Sequence, residues 1–121
     1  FKEQHMFLSE CVRILGAGVA VPAPDMDIDI QVACGADLMS DVMAFACASN
    51  ELLLTGLVNP QSIRTAEIMD IKVVVFVRGK QPGEAILDLA RQKNICVLTT
   101  QYPMFTACGL LYQNGVKGKG G

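Results

Sequence analysis

Three short apolar runs set the frame of this chain: Leu52-Leu53-Leu54-Thr55-Gly56, Val73-Val74-Val75-Phe76-Val77 and Ile95-Cys96-Val97-Leu98-Thr99. Each is followed by turn residues and then by a segment of helical spacing. Apolar runs without alternation are what strands buried on both faces look like, and helical spacers between them imply parallel strands with crossover helices. An α/β layer structure follows.

The flanking pattern fills out the unit. Leu8, Cys11, Val12 and Leu15 fall at i, i+3, i+4 and i+7, which predicts a helix over about Met6 to Leu15, closed by Gly16 in a left-handed cap. Gly18 to Val21 reads as a short strand ended by Pro22 and Pro24. Ile28, Ile30, Val32 and Cys34 alternate with Asp27, Asp29, Gln31 and Ala33, the period of a half-exposed strand near a sheet edge. Leu38, Val42, Phe45 and Ala46 share a helical face, with Asp37 or Ser40 placed to cap it. Asn59-Pro60 starts a helix to Met69 that buries Ile63, Ala66 and Met69 and exposes Gln61, Arg64 and Glu67.

A helix over Pro82 to Lys93 packs Ile86, Leu89 and Ala90, and Asn94 suits a left-handed exit. Pro103 opens a last helix with Phe105, Cys108, Leu111 and Tyr112 on one side. Gly109 inside it costs about 1 kcal/mol relative to Ala, so a close approach to the sheet or to another subunit is expected there. The count is about five strands and five helices in one domain over residues 1–114, with helices on both faces of the sheet and a flexible Gly/Lys tail over 115–121.

Composition changes the picture in two places. With 51% hydrophobic and only 18% charged residues, the chain holds more apolar material than a small monomer comfortably hides, which points to a homodimer interface. Five widely spaced cysteines without CxxC spacing suit reduced thiols in a cytoplasm. The net charge of −2, spread along the chain, gives no footprint for nucleic acid or an anionic membrane, and no apolar run is long enough to span a bilayer.

In an open parallel sheet, ligands bind outside the carboxyl ends of the strands, where loops and helix N-termini converge. That rule selects Asp37 and Ser40, then Thr55, Gly56 and Asn59, then Arg78, Gly79 and Lys80, and last Thr99, Thr100, Gln101 and Tyr102. Two cations, several hydroxyls and helix N-termini suit a small anionic ligand such as a phosphate or nucleotide. The competing reading is that Asn59, Ser40 and Thr100 are caps and Arg78 and Lys80 a solvated loop. No phosphate-loop or dinucleotide fingerprint is present. His5, the lone histidine, stands near the chain start, which disfavours a nucleophile-histidine pair. Cys11, Cys47, Cys96 and Cys108 read as small core residues and Cys34 as the most reactive thiol. Asp25, Asp27 and Asp29 read as a wet strand face rather than a metal site. No catalytic residue, metal or cofactor is expected.

Several strings together resemble one family: Asp37-Leu38-Met39-Ser40-Asp41-Val42-Met43-Ala44, Leu53-Leu54-Thr55-Gly56-Leu57-Val58-Asn59-Pro60-Gln61, Ile63-Arg64-Thr65-Ala66-Glu67, Val75-Phe76-Val77-Arg78-Gly79 and Leu98-Thr99-Thr100. They resemble the DRTGG domain family, which is similar to the N-terminal domain of HPr kinase/phosphorylase. The resemblance implies a three-layer α/β/α sandwich around a mostly parallel sheet and a regulatory or assembly role with dimer contacts. It also implies, for some members, a protein partner encoded nearby and related to hydrogenases. The Asp-Arg-Thr-Gly-Gly string that names the family and the kinase's phosphate loop are absent from this sequence, so roles tied to either do not carry over. The expected function is a non-enzymatic, homodimeric regulatory module binding a small anionic ligand or a partner protein. Its alternatives are a small phosphoryl or acyl transferase using Asp37, Asp41, Thr55 or Cys34, and a thiol redox-responsive protein.

Overall fold

The structure is a computed structural model that describes residues 6–45 and 51–118, apart from the side chain of Phe45. The expectations for His5, Phe45, Ala46, Cys47 and residues 119–121 lie outside the described residues. The elements are α1 (Leu8–Leu15), β1 (Gly18–Val21), β2 (Ala33–Gly35), α2 (Met39–Phe45), β3 (Leu52–Thr55), α3 (Pro60–Ile68), β4 (Val73–Phe76), α4 (Glu84–Gln92), β5 (Cys96–Thr99) and α5 (Met104–Gln113). They form a five-stranded sheet in the order β1-β5-β4-β3-β2. Strands β2 to β5 are parallel, and only β1 runs antiparallel, against β5. This is the expected α/β/α sandwich with a mostly parallel sheet.

The three apolar runs form the middle of the sheet in register, with Leu52, Leu53, Leu54 and Thr55 opposite Val73, Val74, Val75 and Phe76. Their side chains alternate between two cores, as the pleat requires. Leu52, Leu54, Val73, Val75, Cys96 and Leu98 meet Leu8, Cys11 and Leu15 of α1 and Ala107 and Leu111 of α5. Leu53, Val74, Phe76 and Val97 meet α2, α3 and α4 through Met39, Val42, Ile63, Ala66, Ile86 and Ala90. Each large side chain so buried contributes about 1.5–3 kcal/mol. The order β2, β3, β4, β5 steps one way across the sheet, so right-handed crossovers place α2, α3 and α4 on the same face. The second helical layer comes from α1 and α5, which are not crossovers.

Local signals are obeyed where backbone geometry decides. Gly16 sits at φ 55° as the cap of α1, Asn94 at φ 57° after α4, and the Asn59 side chain accepts from Gln61 N at the start of α3 with Pro60 at its first position.

Five expectations are corrected. The alternating segment 28–34 joins the ladder only over Ala33–Gly35. Its earlier part instead holds the start of α1, with Leu8 N donating to Ile28 O and Ile30 N to Met6 O. The buried face of α2 carries Met39 and Val42, while Leu38 is 61% exposed. On α5, Ala107 and Leu111 face the core, Tyr112 is exposed and Phe105 is 89% exposed. Gly109 makes no close approach, since a Cβ there would meet nothing within 4 Å. The close approach is at Gly35, where a Cβ would stand 2.7 Å from Cys108 Sγ. Finally, the Gly115–Gly118 stretch is part of the fold rather than a bare tail. Val116 is buried in the α1/α5 core, Lys117 N donates to Gln31 O and Ala33 N to Lys117 O.

Candidate functional site

Consecutive strands β4 and β5 send their helices to opposite faces, α4 to one and α5 to the other. The carboxyl ends of the strands are where open α/β sheets take ligands. Here the two loops are Arg78-Gly79-Lys80 and Thr100-Gln101-Tyr102, both drawn from the set the sequence nominated. Their backbones are stitched together: Arg78 N donates to Tyr102 O and Gly79 N to Thr100 O, each at 2.8 Å.

Arg78 adopts φ 63° and Gly79 φ 68°. Two successive left-handed residues make a tight reversal, and for an arginine that conformation costs free energy which the two backbone bonds help to offset. The turn throws both cations toward the end of β3. A Cβ on Gly56 would lie 2.5 Å from Arg78 Nη2 and 3.2 Å from Asp37 Oδ1, so any side chain there would displace the guanidinium from this position. Lys80 Nζ donates to Gly56 O at 2.8 Å. Among the described residues no carboxylate forms an ion pair with Arg78 or Lys80.

The remaining nominated residues divide by how their polar atoms are used. Asp37 is exposed, but its Oδ1 accepts from Gly56 N at 2.6 Å and from Thr55 Oγ1 at 3.5 Å, so it orders the β3 loop rather than capping α2. Thr55 is buried, and its hydroxyl also accepts from Leu57 N. Thr100 is 2% exposed; its hydroxyl donates to Leu15 O at 2.7 Å and accepts from Tyr102 N. Thr99 places Oγ1 beside Gly18 of β1. Ser40 is exposed in the first turn of α2. Asn59 serves as the α3 cap. Asp37, Thr55, Gly56, Arg78 and Lys80 are therefore brought together, with Gly79 and Thr100 beside them, while Ser40 and Asn59 form no hydrogen bond to this group among the described residues. Gln101 packs its side-chain amide against Gly79, with Oε1 2.6 Å from where a Cβ would stand.

The thiols have a different character. Desolvation pushes Cys11 up to about 12, reinforced by Glu10, and Cys96 up to about 11. Cys34 is raised by desolvation first and then by Glu51, Cys108 and Asp41, and Cys108 by desolvation. Thiols held protonated are poor nucleophiles and poor metal ligands. Cys34 also packs toward the α2/α3/α4 core while Cys108 packs toward the α1/α5 core, so the sheet edge stands between them. Among the described residues no group of three His, Cys, Asp or Glu side chains is arranged to hold a metal ion, and no helix is long and apolar enough to cross a membrane.

The architecture has a solved counterpart. The chain superposes on the CBS and DRTGG domains of the regulatory region of Clostridium perfringens pyrophosphatase, complexed with its activator diadenosine tetraphosphate, with a TM-score of 0.72 at 19% sequence identity. The two share a fold. The match covers 91% of this chain and 47% of the other, so the chain spans about half the length of that region. No protein-family model and no curated protein matches the sequence.

Proposed function

We propose that this chain is a DRTGG-like regulatory module without chemistry of its own, homodimeric and cytoplasmic, that holds a small anionic ligand of phosphate or nucleotide type on the β4/β5 rim. One observation carries the reading: Arg78 and Lys80 are set by a left-handed turn onto Gly56 at the carboxyl ends of the strands, and neither forms an ion pair among the described residues. A guanidinium that forms no ion pair among the described residues is suited to bidentate capture of phosphate oxygens. Asp37 and Thr55 shape the loop, and Gly79 lets Gln101 close over it. The fold shared with a regulatory region complexed with a nucleotide activator supports the same class of ligand. A partner protein, hydrogenase-related as in some DRTGG domains, is the second occupant this reading admits. Protonated, half-buried Cys34 supports neither the transferase nor the thiol-switch alternative.

A thermal-shift series with inorganic phosphate, AMP, ATP and diadenosine tetraphosphate tests the proposal. Saturating ligand at about 100 times its Kd should add about 2.7 kcal/mol of stability. Arg78→Ala with Lys80→Ala should abolish the shift while the apo protein stays folded. Absence of any shift in the wild type removes the small-ligand reading.

A further inference from the structure

The loop after β5 adds an aromatic ring and a side-chain amide to the cations of the rim. Tyr102 is 41% exposed, yet its backbone is fixed at both polar atoms. Its N donates to the hydroxyl of buried Thr100, which in turn donates to Leu15 O, and its O accepts from Arg78 N. The ring therefore stands on a pinned stretch of chain, one backbone hydrogen bond from the residue that carries the guanidinium. Gln101 is exposed as well. Its amide lies against Gly79, with Oε1 2.6 Å and Nε2 3.4 Å from where a Cβ would stand. Among the described residues neither this amide nor the Tyr102 hydroxyl forms a hydrogen bond.

We infer that the rim takes an adenine nucleotide, with the base stacked on Tyr102, its edge read by Gln101 and its phosphate held by Arg78 and Lys80. This rests on the anionic-ligand reading above and narrows it. Inorganic phosphate would use the two cations and leave the ring in water. A nucleotide joins an anion to a flat π-face in one small molecule, as the bonded loops join cations to a ring. Every base has a face on which an aromatic side chain stacks, so Tyr102 favours a nucleotide without choosing which. Gln101 makes the choice. A carboxamide sets an acceptor beside a donor group, the match for N6 and N7 of adenine, whereas guanine presents two acceptors at the same edge. A ring on a pinned backbone also loses little conformational freedom when a base settles on it.

Isothermal titration calorimetry of the full chain with ribose 5-phosphate, AMP and GMP tests this. AMP should bind at least about 5-fold more tightly than ribose 5-phosphate, the smallest gain expected from stacking one base. It should also bind at least about 5-fold more tightly than GMP, through the edge contact. Tyr102→Leu should remove the first difference and Gln101→Leu the second. Both side chains are exposed, and far-UV circular dichroism should show both variants folded. Equal binding of AMP and ribose 5-phosphate, or of AMP and GMP, overturns the inference while leaving the rim reading in place. A wild-type preference that both variants keep overturns it too. If none of the three compounds binds, the rim reading fails and this inference with it.

Discussion

The two faces of the sheet are finished differently. On one, α3 and α4 present charged outer sides, with Lys93 of the α4 cap reaching Glu67 of α3 at 3.2 Å and Arg91 pairing with Asp88 and Glu84. On the other, α5 is neutral throughout and exposes an aromatic ring. The buried thiols Cys11 and Cys96 lie in the core beneath α1 and α5. Of the two helices on that second face, only α1 carries charge, in the exposed Arg13–Glu10 pair. The rim between them is a third environment, in which backbone carbonyls and amides position cations.

The largest expected effect separates the two cores by pH. Burial raises the Cys11 and Cys96 thiols above the value near 9 that they hold when exposed. Raised acid pKa values mean that the unfolded chain loses these protons first, so stability is full below about pH 9 and falls as pH climbs toward 11. At about 1.4 kcal/mol per pH unit for each thiol, the loss reaches about 5 kcal/mol by pH 11. Urea unfolding across that range should show the steep fall in the wild type and a shallower one in Cys11→Ala/Cys96→Ala. Equal slopes would show that these thiols do not set it.

The next effect tests the link between rim and α1. Thr100→Val strips the Leu15 carbonyl of a buried donor, and should cost about 1–3 kcal/mol by denaturant unfolding. Gly109→Ala should add about 1 kcal/mol to the monomer, because a helical glycine is replaced with no steric conflict. The smallest effect belongs to the charged face: removing the exposed Lys93–Glu67 pair should change stability by a few tenths of a kcal/mol, less at high salt.

The sequence made legible what periodicity and backbone chemistry control. Unbroken apolar runs announced β3, β4 and β5, and Gly16, Asn59 and Asn94 announced their own backbone roles. It misled where alternation had a second cause. Ile28 and Ile30 alternate because their backbone threads across the start of α1, not because they extend β2. On α5, apolar residues occupy more than one face, so spacing alone could not choose Ala107 and Leu111 over Phe105 and Tyr112. Val116 carried too little pattern among glycines and lysines to reveal its place in the core. At the rim, the strand-end rule named residues that the fold places near one another, but not how their polar atoms are used. Thr55 and Thr100 turn their hydroxyls inward, and the left-handed Arg78 that aims the guanidinium has no sequence signature.

An amide-resolved NMR titration with ATP tests the central claim most directly, because it reports where an anion lands as well as whether it binds. The account predicts saturable shifts centred on Gly56, Arg78, Gly79, Lys80 and Gln101, lost in Arg78→Ala/Lys80→Ala. Shifts confined to α5, or none up to saturating nucleotide, would contradict it.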